Sequence, residues 1–366
     1  MLRILFALSA PLFLYAQGTQ PAKTPLTPAQ TLQVRNLSEL EFSPDGRQLV
    51  FTVREPVKGA SAQSHLWVLR EPAGEPRQWT SSSKSETHPR WSPDGQQIAF
   101  LAGEPKSEAE DKKERDKDDA RVVDRDEKRA RVWVVDVKSH KVRQVTKEPW
   151  RVLEICWLPE NGELVVKASD HPEADQWKDR IYTVSIADGQ FTEVAAPRGP
   201  FGVLKVAPGG RNLAYLASPG DGPSEHDLFV QPLDAKPARN LTGPQLDRPI
   251  GQYDWRPDGS ILAAVQNGFT RELRSIHGEA IQRIHPEFKL SPLDIAIAGQ
   301  GTLALVAGDS TTIPELWIST SGAELKRVSH FNDNWDKIAL QPVEVVDVVV
   351  SRFGGQPQVR QPRKQA

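Results

Sequence analysis

A short turn motif recurs along the chain and restricts the possible folds more than any other sequence feature. Ser43-Pro44-Asp45-Gly46 returns as Ser92-Pro93-Asp94-Gly95, and three weaker versions follow at Pro159, Pro208 and Pro257, so that successive prolines lie 49, 66, 49 and 49 residues apart. Proline presets the first turn angle and Asp-Gly accepts the left-handed conformation, so each motif predicts a tight hairpin. The predicted turn residues are Pro44, Asp45, Gly46, Pro93, Asp94, Gly95, Pro159, Gly162, Pro208, Gly210, Pro257, Asp258 and Gly259.

Each turn has the same neighbours, which define a four-strand unit. An aromatic or apolar residue precedes the turn, at Phe42, Trp91, Trp157, Val206 and Trp255, and a short apolar strand follows it. A third and a fourth strand complete most units, and a sixth unit keeps only the turn at Gly299-Gln300-Gly301. Four short strands repeated at this period are typical of a propeller blade, which buries both faces only by stacking in a ring. We therefore predict an all-β fold, a β-propeller of six to seven four-stranded blades over residues 37–335, with the recurring aromatics packed between blades. The strand-like segment Val343 to Val350 is the candidate for a seventh.

One spacing is longer because of a charged insertion. Residues 104–131 carry 11 acidic and 10 basic side chains among 28 positions, between the second and third strands of the second unit. Such a segment cannot join a core and suits a solvated helix or a disordered loop. The alternative is a lid or docking arm on one face of the ring.

The ends of the chain differ from the repeats. Residues 1–16 combine Arg3 with an apolar run and a small residue, Ala16, which predicts a secretory signal peptide and export to the periplasm or the cell exterior. A membrane anchor is the alternative, but the apolar run is short for a bilayer, and no other segment predicts a membrane span. Residues 17–36 are expected to be a linker, 336–352 a further strand, and 353–366 a disordered tail.

Candidate chemistry is sparse. The net charge of -2 favours no nucleic-acid partner, and the single cysteine, Cys156, allows no internal disulfide and is expected to be a small buried hydrophobe. No Gly-x-Ser-x-Gly motif surrounds any serine; Ser310 and Ser224 come nearest, and His88 and His226 are predicted to be surface residues rather than general bases. No paired histidine or calcium-loop spacing occurs, so the turn aspartates are expected to cap their own turns. We predict no catalytic, metal or cofactor site.

The repeats resemble the propeller domain of the prolyl oligopeptidase family of serine peptidases, in its acylaminoacyl-peptidase and dipeptidyl-peptidase branches. The resemblance rests on Leu26-Thr27-Pro28, the Ser-Pro-Asp-Gly turns, the charged insertion and Ser329-His330-Phe331-Asn332. It implies a propeller that filters substrates by size over an α/β-hydrolase domain, which supplies the chemistry and follows the propeller. Residues 336–352 resemble the strand that leads into that domain. The adjacent Glu pair of the dipeptidyl-peptidase branch has no counterpart in this sequence.

Two functions follow as expectations. The first is a non-catalytic, substrate-gating propeller with a protein or peptide partner, either truncated or acting with a separate α/β-hydrolase. The second is a stand-alone periplasmic interaction scaffold similar to TolB, whose propellers also carry Pro-Asp-Gly turns.

Overall fold

The computed structural model describes residues 23–57, 62–70, 74–103, 107–118, 129–147, 150–160, 162–171, 176–220, 227–234, 236–243, 245–284, 289–320 and 324–344, together with strands at 347–349 and 358–360. The predicted signal peptide, most of the predicted linker, much of the charged insertion and most of the tail lie outside these residues.

The repeated unit is an antiparallel sheet of four consecutive strands, and the described residues form six of them. Blade one contains β1 (Asn36–Phe42), β2 (Gln48–Arg54), β3 (Ser64–Arg70) and β4 (Arg77–Gln78); blade two β5 (Glu86–Trp91), β6 (Gln97–Gly103), β7 (Ala130–Asp136) and β8 (Val142–Gln144); blade three β9 (Arg151–Trp157), β10 (Glu163–Ser169), β11 (Arg180–Ser185) and β12 (Phe191–Ala195). Blade four contains β13 (Phe201–Val206), β14 (Asn212–Ala217), β15 (Asp227–Pro232) and β16 (Arg239–Asn240); blade five β17 (Ile250–Trp255), β18 (Ile261–Asn267), β19 (Thr270–His277) and β20 (Ala280–Arg283); blade six β21 (Ser291–Ile297), β22 (Leu303–Gly308), β23 (Glu315–Ser319) and β24 (Lys326–Arg327). The predicted all-β propeller is confirmed.

The hydrophobic core lies between the blades and closes the ring. Each of six buried apolar clusters is formed by two neighbouring blades. One of them joins Phe51 and Leu69 of blade one to Ala304 and Leu316 of blade six, so six blades complete the circle. Asp347–Val349, within the candidate seventh blade, pairs instead with Gln358–Arg360 of the tail as a separate two-stranded sheet, β25–β26.

The residues that precede the turns pack at these interfaces. Trp91 and Trp157 are buried against the preceding blade. The indole Nε1 of Trp157 donates to the carbonyl of Arg90 at 2.8 Å, and that of Trp255 donates to the carbonyl of Lys205 at 3.0 Å. These aromatic side chains therefore join blades by hydrogen bonds as well as by apolar contact.

The predicted turn residues connect the first and second strands of their blades. In blade one, Ser43 Oγ donates to Asp45 Oδ1 at 2.6 Å, the amide of Gly46 donates to the carbonyl of Ser43 at 2.8 Å, and Gly46 has φ 68°. The hydrogen bond from Ser43 lowers the pKa of Asp45. Blade two repeats this geometry at Ser92, Asp94 and Gly95.

The two faces of the ring differ in what they carry. The turn face holds the turns between first and second strands and between third and fourth strands. The opposite face, here called the terminal face, holds the connections between second and third strands, the connections between blades, and the segments on either side of the ring, residues 23–35 and 328–344. The charged insertion leaves this face between β6 and β7, as predicted, and its described part includes α2 (Glu108–Arg115).

The two flanking segments are tied together. The amide of Thr24 donates to the carbonyl of Lys337 at 2.9 Å, and the amide of Ala339 donates to the carbonyl of Thr24 at 2.8 Å. Asn332, which is buried, accepts from the amide of Arg35 at 2.9 Å and donates to its carbonyl at 3.0 Å. The first segment contains α1 (Pro28–Thr31), and the second contains a 3-10 helix, Asp333–Lys337. In the described part of the chain, no helix has the length and apolar character needed to cross a membrane.

Candidate functional site

The innermost strand of each blade faces the axis of the ring, and all six of these strands carry a bulge against their neighbour. We call the residue three positions before the end of each strand the bulge position; it lies within the bulge in blades one, two and four and directly after it in blades three, five and six. These residues, in blade order, are Glu39, His88, Glu154, Val203, Gln252 and Asp294. They form a layer around the axis in which both charge and backbone conformation vary from blade to blade.

Three bulge residues have a left-handed backbone although none is glycine. Glu39 has φ 62°, His88 φ 53° and Val203 φ 57°. Such values are uncommon outside glycine, and for a β-branched valine they are a clear outlier. Backbone strain of this kind persists only where the surroundings hold it in place.

A carboxylate from the preceding blade holds each of these bulges. Glu154 of blade three accepts from the amides of Val203 and Leu204, both at 2.8 Å. Asp294 of blade six accepts from the amides of Glu39 and Leu40 in blade one. Two successive N–H groups aimed at one anion form a backbone nest, and a charged acceptor strengthens both hydrogen bonds.

The third pair follows the same rule with one difference. Glu39 of blade one accepts from the amide of His88 in blade two at 2.7 Å, and the next residue, Pro89, has no N–H to offer. His88 Nδ1 lies 3.2 Å from Glu39 Oε1 instead. His88, predicted to be a surface residue, thus lies on the axis with its side chain 27% exposed. Each acidic bulge residue is thus followed, in the next blade, by a bulge residue with a left-handed backbone. The pairs are blades one and two, blades three and four, and blades six and one.

A second layer lies one residue before the end of each inner strand, and four of its six residues are charged. Glu41 Oε2 lies 3.2 Å from Arg90 Nε, and Asp254 Oδ1 lies 3.2 Å from Lys205 Nζ. The second oxygen of Asp254 accepts from the amide of Ile297 at 2.8 Å, which links blade five to blade six. The exposed fractions of the four side chains run from 10% to 26%, so these charged groups are largely withdrawn from solvent.

The two layers together make the axis acidic. They contain five carboxylates, Glu39, Glu41, Glu154, Asp254 and Asp294, but only two permanently charged cations, Arg90 and Lys205. Burial raises the pKa of Glu41 to about 7, against the opposing effect of Arg90 and Lys205. Burial also raises the pKa of Asp294. We call these residues the axial belt.

Cys156 belongs to the axial belt as a neutral member. Its Sγ accepts from the amide of Val206 in the next blade at 3.2 Å, and burial raises the pKa of its thiol to about 11. A thiol with so high a pKa stays protonated and is a poor nucleophile. The residue therefore acts as a link between blades, and it is partly rather than fully buried.

The serines considered as nucleophiles have no assembled partners in the part of the chain that the structure describes. Ser310 Oγ accepts from the amide of Val343 at 3.2 Å in a loop on the terminal face, whereas Ser224 and His226 lie outside the described residues. Within the same described ranges, no group of three or more His, Cys, Asp or Glu side chains is arranged to hold a metal ion.

Exposed apolar side chains are concentrated on the terminal face. Eight large hydrophobic residues are exposed in the described structure, and seven of them lie toward this face. Six are on connections or flanking segments, namely Leu26, Leu32, Val57, Trp177, Phe269 and Val343, and Leu293 lies near the start of β21. Phe269 is the extreme case, with 84% of its surface exposed. Only Val142 lies on the opposite side. These seven residues lie in the two flanking segments and in blades one, three, five and six.

Sequence comparison and structural comparison give different outcomes. No protein-family model and no curated protein matches the chain. The β-propeller domain of the Trilobed protease from Pyrococcus furiosus, which has an open velcro topology, matches with a TM-score of 0.54 at 16% identity, covering 84% of this chain and 98% of that one. Pyrococcus horikoshii acylaminoacyl peptidase matches with a TM-score of 0.53 at 13% identity, covering 90% of this chain and 57% of that one.

TolB from Acinetobacter baumannii matches with a TM-score of 0.50 at 14% identity, covering 69% of this chain and 55% of that one. The chain thus spans little more than half the length of this protein and of the acylaminoacyl peptidase. The predicted resemblance is confirmed at the level of the fold. The chain is a six-bladed β-propeller of the kind found in the propeller domains of prolyl oligopeptidase-family peptidases and in TolB.

Proposed function

We propose that this chain is a non-catalytic propeller that docks on an α/β-hydrolase through its terminal face and controls which peptides reach that enzyme. The single observation that carries the proposal is the gathering of seven of the eight exposed large apolar residues on the face that also holds both flanking segments. A continuation of the chain, or a separate subunit, would meet the ring on this face.

The axial belt supports the gating part of the proposal. Its five carboxylates outnumber its two cations, and hydrogen bonds and ion pairs between blades fix their positions, so the axis is acidic. Glu41, whose pKa is about 7, contributes its full charge only above neutral pH. A channel lined with one sign of charge favours the entry of the opposite sign. Peptides that carry positive charge would enter more readily than acidic peptides of the same size.

The test combines capture with an active-site label. We would immobilise the full chain, expose it to a periplasmic extract, and treat the bound fraction with a fluorophosphonate probe that labels active serine hydrolases. We expect a labelled protein on the wild type and its loss on a Phe269→Glu, Trp177→Glu double variant. Val142→Glu, an apolar residue 52% exposed on the other face, is the matched control and should retain the label.

Two results would count against this function. Peptide hydrolysis by the purified chain, persisting after contaminating proteases are removed, would contradict the non-catalytic role. Capture without any labelled hydrolase would favour the second candidate, a stand-alone scaffold similar to TolB, which the match to that propeller supports. Either role is compatible with export, and export remains a prediction from residues 1–16.

A further inference from the structure

A cleft on the terminal face separates blades five and six. Its volume is about 280 Å³, close to the lower end of the range of clefts that bind small molecules, about 300 to 1,000 Å³. Asn267 and Thr270 line it from the β18–β19 hairpin, and Ser291 and Pro292 line it from the start of β21. It shares no residue with the axial belt.

The charge of the cleft is opposite to that of the whole chain. Among the lining residues that the structure describes, three are cations, Arg271, Arg283 and Lys289, and one is a carboxylate, Glu272, so their net charge is +2 against -2 for the whole chain. Glu272 is already engaged, because Arg274 Nη2 and Arg283 Nη2 both lie 2.6 Å from its oxygens. A ligand in this cleft therefore meets an excess of positive charge.

Two of the cations are placed to receive an anion. The guanidinium of Arg271 lies flat against the backbone of Gly251, where a Cβ would come within 2.7 Å of its Cζ, and its Nη1 donates to the carbonyl of Leu293 at 3.2 Å. This fixes the plane of the group while leaving further N–H donors. Lys289 is exposed and, within the described ranges, has no ion-pair partner.

Apolar side chains also line the cleft. Leu273, Ile284, Leu290 and Pro292 contribute to its lining. Two of the exposed apolar residues of the terminal face, Phe269 and Leu293, are the chain neighbours of the lining residues Thr270 and Pro292. The cleft thus combines cationic and apolar lining residues.

We propose that this cleft binds the C-terminal carboxylate of a short peptide, with the last side chain, an apolar one, against the apolar lining residues. A carboxylate matches the geometry of a fixed guanidinium and a nearby ammonium better than a neutral group does. The inference rests on the proposed function only in that it takes peptides as the ligand class. A small inorganic anion would satisfy the cations but not the apolar lining.

Calorimetric titration of the full chain with Gly-Ala-Leu as the free acid and as the C-terminal amide tests the proposal directly. We expect the free acid to bind and the amide to bind at least tenfold more weakly. Lys289→Glu should weaken binding of the free acid by tenfold or more, because it reverses a charge beside the carboxylate. Lys326→Glu, which reverses an exposed charge on the outer strand of blade six, should leave it unchanged.

Other outcomes overturn the proposal. Equal affinities for the free acid and the amide would show that the cleft does not recognise the carboxylate. No detectable binding of the free acid at millimolar concentration would show that the cleft is not a peptide site. Competition by inorganic phosphate at concentrations similar to the peptide would show a general anion site. Thermal unfolding of both variants confirms that they fold. No hydrolase takes part in the titration, so its result is independent of the capture experiment.

Discussion

The left-handed bulges of the inner strands show how single residues stabilise one another across blade boundaries. Val203 holds a conformation that costs roughly 1–2 kcal/mol for an L-residue, and it does so where Glu154 of the neighbouring blade accepts two of its local N–H groups. The same pairing links Asp294 to Glu39 and Glu39 to His88. At these interfaces the buried carboxylate needs the N–H groups as donors, and the left-handed backbone needs the carboxylate to hold it. We therefore expect loss of either partner to destabilise the other.

Glu154→Gln tests this dependence between the carboxylate and the left-handed backbone. The amide keeps one carbonyl oxygen but turns an NH₂ group toward the second N–H of the nest, so one buried donor loses its acceptor. We expect a loss of about 2 kcal/mol in the free energy of unfolding, measured by urea denaturation. Glu193→Gln, an exposed change on the outer strand of the same blade, is the control and should have little effect. Equal unfolding free energies for the two variants would contradict the role of the carboxylate.

At the scale of the element, the turns lie against one another around the turn face. A Cβ added at Gly210 would come within 2.2 Å of Cγ of Pro159, and one added at Gly46 would meet the side chain of Gln300. In these two places the turn glycine of one blade lies on the corresponding turn of the blade before it. The contact is looser at Gly95, where an added Cβ would lie 3.7 Å from Pro44 Cδ, and it does not occur at Gly259, which has no atom within 4 Å.

Gly210→Ala should therefore destabilise the protein. The residue has φ 70°, where alanine costs about 1–2 kcal/mol, and the contact with Pro159 adds to that cost. Gly209→Ala is a matched control one residue away, because that glycine has no atom within 4 Å of an added Cβ and no positive φ. We expect the midpoint of urea unfolding to fall for the first variant and to change little for the second; the reverse order would disprove the contact.

The regularity of the elements also explains what the sequence could predict. The fourth strands of blades one, two, four and six share a sequence signal, because a hydroxyl residue two positions after each strand accepts from the third strand. Thr146 Oγ1 accepts from the amide of Val132 at 3.0 Å, and Ser329 Oγ accepts from that of Leu316 at 2.8 Å. Blades three and five use Phe191–Ala195 and Ala280–Arg283 without such a residue, and no repeat signal marked these strands.

The candidate sites were less visible than the fold, for a physical reason. The acids of the axial belt had a signal, since Glu39, Glu154 and Asp294 stand three residues before the end of an inner strand, but only the structure shows which N–H groups they meet. The cleft had none. Its cations come from two strands of the least regular blade and from the connection to the next, and only tertiary packing brings them together.

The whole ring is closed by side chains and short backbone contacts rather than by a shared strand. Every blade consists of consecutive strands, so the seam between blades six and one depends on the apolar cluster, on Asp294, and on the contacts of Asn332 with Arg35. Gln300 Nε2 adds a hydrogen bond to the carbonyl of Gly46 at 3.2 Å. The seam is the place where the ring is expected to open first.

Asn332→Ala should loosen the seam specifically. It removes both side-chain hydrogen bonds to Arg35 from a residue that is only 2% exposed, with an expected loss of about 2 to 3 kcal/mol. Hydrogen–deuterium exchange should accelerate in peptides from blades one and six and stay unchanged in blade three. Asn36→Ala, an exposed residue beside the same seam, serves as the control. Equal acceleration in all six blades would contradict a local opening.

Thr24 and Lys337, in the two segments that flank the ring, are joined by a backbone hydrogen bond. The segment before the first strand of blade one therefore lies beside the segment after the last strand of blade six, and each of the six blades is formed from consecutive strands. The order of the blades is therefore cyclic. In terms of connectivity, the chain could begin and end at any of the six boundaries between blades. A circularly permuted protein, with its ends joined near Thr24 and Lys337 and opened between β12 and β13, would hold the same blades, the same belt and the same cleft.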